Sequence, residues 1–140
     1  MTKGVLRFFF DYCAGGCLWA GDVATRDRLG AGPVDAAVYD LEGRESRKPR
    51  LVLSDAARRL RDQLDTEHSG YLNPLYQLDP SPWTQAVCDN FNASVDRLLA
   101  ILRNELGADY EILDQQRRYV EDPALGKYLA ANPKLAAIKR

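Results

Sequence analysis

Residues 82–113 read PWTQAVCDNFNASVDRLLAILRNELGADYEIL, and this stretch decides the fold. Val87, Phe91, Val95, Leu98, Leu102 and Leu106 recur at spacings of four, four, three, four and four, so they share one side of a 3.6-residue helix. Leu99 and Ile101 widen that stripe. Ser81 is the expected N-cap and Pro82 the first helical residue, where a missing N–H costs nothing. Gly107 is the expected stop. Residues 110–113, aromatic and aliphatic, then read as a strand. A long one-sided helix running into a strand predicts an α/β domain: a small sheet with a long helix in the C-terminal half and two to three shorter helices packed on it.

Working outward, residues 5–12 supply the strand that pairs with 110–113. Val5, Leu6, Phe8, Phe9 and Phe10 are too continuous for a strand with one wet face, so a central strand covered on both faces is expected. A turn at Ala14-Gly15-Gly16 follows. Asp22 caps a short helix that ends near Leu29, with Gly30 as its stop. Residues 37–41 and 50–53 read either as two strands flanking a flexible loop, 42–49, or as irregular chain. Ser54 caps a second helix reaching about Glu67, with Ala57, Leu60 and Leu64 inward and Arg58, Arg59 and Arg61 outward. Residues 71–83 form a loop rich in aromatics and prolines. Asp122-Pro123 opens a last short helix that Asn132-Pro133 closes, and 134–140 read as a frayed tail.

The 140 residues fit a single domain, and 46% hydrophobic with 28% charged residues is a globular composition. A net charge of −1 offers no basic excess for nucleic acid, so such a partner is not expected. Arg44, Arg47, Lys48 and Arg50 form a local basic run that reads as a solvated loop. No apolar stretch is long enough for a membrane span, and Asp11 ends the burst at Phe8 to Phe10 too early for a secretory signal. With three cysteines, an odd number for a disulfide framework, a cytoplasmic protein with reduced thiols is expected.

Two groups of residues are candidates for function. Trp19, Tyr71, Tyr76 and Trp83 are the anchors expected of a partner-binding surface, since Trp and Tyr dominate interface energetics. The same aromatics also read as a satellite core over the long helix. The second group is thiol-based. Cys13 and Cys17 flank a Gly-Gly turn, a spacing that suits a reversible disulfide or half of a soft-metal site, with Cys88 and His68 as the remaining soft ligands. The plain alternative is two small residues at 13 and 17, one buried and one partly exposed, and a histidine with a capping or surface role. Asp11, at a strand end, is the carboxylate best placed for chemistry. No motif calls for a metal or cofactor.

Phe10-Asp11-Tyr12, Cys17-Leu18-Trp19, Leu53-Ser54, Asp79-Pro80-Ser81-Pro82-Trp83, Phe91-Asn92 and Glu105-Leu106-Gly107 resemble, in order and spacing, a set of small bacterial proteins of unassigned activity. The resemblance implies a bacterial cytoplasmic protein, similar in size and style to toxin-neutralising immunity proteins. The reading is a non-catalytic, protein-binding role, immunity-like or regulatory, with a protein such as a toxin as partner. The alternative is a small thiol-dependent enzyme or metal-binding protein using Cys13 and Cys17.

Overall fold

In the computed structural model, which describes residues 2–136, the chain runs β1 (Gly4–Phe8), β2 (Leu18–Ala20), α1 (Val23–Leu29), β3 (Val38–Tyr39), β4 (Glu45–Arg47), α2 (Asp55–Ser69), α3 (Gln85–Leu106), β5 (Tyr110–Asp114), α4 (Leu125–Ala131) and α5 (Pro133–Ala136). This is the expected α/β class. β1 is central in the order β2-β1-β5, antiparallel to β2 and parallel to β5. Leu6 and Phe8 are fully buried, and so, nearly, are their partners Ile112 and Leu18. Against them lie Leu64 of α2 and Phe91, Val95, Leu98 and Leu102 of α3, all within one hydrophobic core. The stripe read from sequence is the buried face of α3, with Val87, Ile101 and Leu106 partly covered.

Several boundaries differ from expectation for identifiable reasons. β1 ends at Phe8, four residues early, because the chain leaves the ladder there: Phe9 N–H donates to the Cys17 carbonyl (3.0 Å) and Phe10 N–H to Gln116 Oε1 (2.7 Å). The outer face of β1 is only half covered, at Val5 and Arg7. The cap of α3 is Thr84, whose side chain accepts from Val87 N–H (3.3 Å), because Ser81 Oγ is already engaged by the Tyr71 carbonyl and Trp83 N–H. Gly107 ends α3 in right-handed conformation (φ −64°), so its need for glycine is the close approach of the Arg103 carbonyl, not a left-handed turn. The second strand of the hairpin is Glu45–Arg47, inside 42–49 and not at 50–53. Asp40 Oδ1 organises that turn by accepting from Glu42 and Arg44 N–H (3.0 and 2.9 Å), and Gly43 supplies the left-handed residue (φ 81°). α4 starts at Leu125, after a turn in which Asp122 Oδ1 accepts from Ala124 N–H (2.8 Å). Of the expected tail, Lys134 to Ala136 belong to α5, and 137–140 lie outside the described residues.

One unit joins the pieces. Asp35, with no side-chain exposure, accepts from Cys17 N–H (3.1 Å), Leu18 N–H (2.9 Å) and Arg61 Nη1 (3.3 Å). Arg61, expected outward, is buried: Nη1 also donates to the Asp35 carbonyl (2.5 Å), and Nε and Nη2 grip Asp62 (3.0 and 2.9 Å). Gly16 is required beside this pair, since a Cβ there would lie 2.7 Å from Asp35 Oδ1.

Leu98, fully buried in the centre of α3, reports on this packing. Leu98→Ala is expected to cost about 2–5 kcal/mol, read as a lower urea midpoint with unchanged slope. A loss within the surface range of about 0.5 kcal/mol would mean that α3 is not packed as described.

Candidate functional site

The loop of residues 71–83 is a fixed object. Asn73, 4% exposed, accepts from Leu75 N–H (2.9 Å) and Tyr76 N–H (3.3 Å) through Oδ1 and donates from Nδ2 to the Pro80 carbonyl (2.8 Å). Asp79 N–H closes a further turn on the Tyr76 carbonyl (2.9 Å), and Ser81 Oγ ties the end of the loop to the Tyr71 carbonyl near its start. These bonds satisfy the backbone without a strand or helix. Outward from this frame stand Leu75, Tyr76 and Leu78, 68%, 55% and 77% exposed, with Leu72 at the margin. Apolar side chains held in solvent by a hydrogen-bonded loop would lose little further freedom if covered.

The four anchors expected from sequence separate. Tyr76 is at the exposed tip. Tyr71 is half-buried at the base, edge-on to Trp83 (5.2 Å, 87°). Trp83 is a core residue, contrary to its expected surface role: it packs against Phe91 (4.9 Å) and Tyr119 (5.4 Å). Trp19 lies on the sheet, stacked on Phe9 (4.8 Å, 7°), with its indole N–H donated to the Phe9 carbonyl (3.0 Å). Leu75 and Leu78, which are not among the expected anchors, are exposed beside Tyr76. The available signal was a leucine every third residue at 72, 75 and 78 in a stretch whose prolines forbid a helix.

The thiol group does not assemble. Cys13, Cys17 and Cys88 are all free thiols, but only Cys13 is exposed. Cys13 is also the one described non-glycine residue with positive φ (60°), and it borders a cleft of about 710 Å3 together with Val38 and Tyr39 of the hairpin and Arg58, Arg61 and Asp62 of α2. Cys17 is fully buried with Sγ 3.6 Å from Asp35 Oδ2, and burial and that carboxylate push its thiol well above the ordinary range. Burial likewise raises the Cys88 thiol, on α3. His68 is packed among Tyr12 (4.5 Å), Phe10 (6.2 Å), Phe91 (6.3 Å) and Tyr119 (6.4 Å), and its Nδ1 has no partner. Burial lowers its pKa, partly offset by Asp11. Among the described residues no group of three or more His, Cys, Asp or Glu side chains is placed to hold a metal.

No protein-family model, curated protein or solved structure matches this chain, so function rests on the site itself.

Two outcomes follow from these surroundings. A thiol reagent added to the native protein should consume one thiol quickly, a phase absent in Cys13→Ser, with Cys17 and Cys88 reacting only in denaturant. Three fast thiols would contradict the burial. For His68, a folded pKa below its unfolded value means the unfolded chain binds the extra proton. Stability is therefore full above about pH 6.5 and falls as pH drops below it, toward the folded pKa. The urea midpoint should decline over that interval in the parent protein and decline less in His68→Phe. Parallel pH profiles would remove His68 as the cause.

Proposed function

We propose that the protein is a non-catalytic binding module that engages another protein through the 72–78 loop, in an immunity-like or regulatory role. The observation that carries this reading is the hydrogen-bonded frame of Asn73 and Ser81, which holds Leu75, Tyr76 and Leu78 in solvent. The chemistry-bearing residues favour the same view: Cys17 and Cys88 are buried with raised pKa, and His68 is enclosed by aromatic rings. Among the described residues no helix is long and apolar enough to cross a membrane. The thiol-dependent alternative reduces to Cys13 and its cleft.

The test is capture of a stoichiometric partner from native extract at high salt, followed by affinity measurement with Leu75→Ala, Tyr76→Ala and Leu78→Ala. At least one variant should lose about tenfold or more in affinity, equivalent to about 1.4 kcal/mol, with unchanged thermal midpoint. Trp19→Ala, a site on the sheet, serves as the comparison. Unchanged affinity in all three loop variants would sink the assignment.

A further inference from the structure

The basic run near residue 47 divides in the fold. Arg44 pairs with Asp40 (3.0 Å) and Glu42 (3.5 Å), and Lys48 with Glu45 (3.6 Å). Arg47 and Arg50 have no carboxylate within 4.0 Å among the described residues, and neither have Arg7 of β1 and Arg26 of α1. All four lie around the 30–33 turn. Arg7 and Arg26 line a depression of about 200 Å3, with Trp19 as a wall and Gly30, Ala31 and Gly32 as its rim. The Arg47 guanidinium lies over Gly30, where a Cβ would come within 2.9 Å of its Nη2. Arg50 holds the same turn, donating from Nη2 to the carbonyls of Ala31 (3.0 Å) and Pro33 (3.4 Å), while its buried Nε and Nη1 have no acceptor.

This arrangement is costly without a counter-charge. Like charges gathered around a small depression repel, and buried guanidinium donors without acceptors lose their hydration. Burial and the Arg47 charge lower the Arg50 pKa, and the Asp35 carboxylate offsets this only in part. Guanidinium forks match tetrahedral oxyanions in geometry as well as charge. Gly30 and Gly32, both at positive φ (89° and 78°), leave the rim with only the Ala31 methyl. The adjoining depression contains one carboxylate, Asp22, which is occupied in capping Thr25 N–H (2.8 Å).

We propose that Arg7 and Arg26, which line the depression between β1, α1 and the 30–32 turn, form a binding site for a phosphoryl oxyanion, with Arg47 over Gly30 at its rim and Arg50 holding the turn. The depression's volume suits inorganic phosphate or a small phosphate ester. Arg7 stands over Phe9 (5.2 Å) and Phe9 stacks on Trp19, so the ligand's neighbours are positioned by an aromatic stack. The site is separate from the 72–78 loop and independent of the protein-binding reading.

The experiment is calorimetric titration of the full chain with inorganic phosphate and with pyrophosphate at low ionic strength. Saturable one-site binding is expected, with pyrophosphate tighter. Arg26→Gln and Arg47→Gln, both at exposed positions, should each weaken it about tenfold or more while the circular dichroism spectrum is unchanged. Arg97→Gln removes the same charge from an exposed position on α3 and should leave binding intact. No saturable binding by either anion would overturn the proposal. So would equal loss in Arg97→Gln, which marks a net-charge effect. A third arm uses a short single-stranded oligonucleotide: displacement by pyrophosphate supports the site, and salt-sensitive binding that pyrophosphate does not displace overturns it in favour of a nucleic-acid surface.

Discussion

The Asp35–Arg61 pair is the constraint on which the rest of the molecule depends. Neither partner belongs to the sheet, yet together they fasten the turn before β2, the segment before the hairpin and the middle of α2. A buried ion pair offers little net stability over apolar residues of the same shape, but removal of one partner strands the other and typically costs about 3–5 kcal/mol. Its value here is positional. The carboxylate collects backbone donors of Cys17 and Leu18 that would otherwise be orphaned as the chain enters β2. With those donors satisfied, the Cys13–Gly16 turn can hold a left-handed cysteine and a glycine pressed against Asp35.

The elements legible in the sequence were those whose cause is local. The stripe from Val87 to Leu106 is set by helical periodicity, and Asp22 and Ser54 cap their helices because a short polar side chain before an apolar run can do little else. The pairing of 5–12 with 110–113 followed from their apolar character. What sequence hid was decided by distant partners. β2 is three residues long and owes its conformation to β1 and to Val34 N–H, which donates to the Leu18 carbonyl. Arg61 sits in an apparently solvent-facing row and is buried because Asp35 waits for it. Ser81 is a good cap by composition but is claimed by the Tyr71 carbonyl.

The same division holds for the candidate sites. An aromatic-rich loop announces itself, but composition alone does not separate Trp83, which closes the core, from Tyr76, which stands outside it. The leucines between them acquire meaning only from the Asn73 bonds. The arginine cluster was less accessible still: its members come from positions 7, 26, 47 and 50, and a run reading as one solvated patch is split by Asp40, Glu42 and Glu45 into neutralised and uncompensated halves. Conversely, the CxxxC spacing does not reveal that its two thiols differ: Cys17 is buried beside a carboxylate and Cys13 is exposed.

The parallel pairing of β1 with β5 sets a condition on how this chain comes into being. Gly4 is matched with Tyr110, about three quarters of the sequence away. The central strand therefore has one edge unpaired until β5 is available, and that closure is entropically expensive before any contact repays it. During synthesis on the ribosome the hydrophobic segment around β1 emerges well before β5, so this pairing forms late. A cell producing it has reason to shield Phe8, Phe9 and Phe10 in the interval.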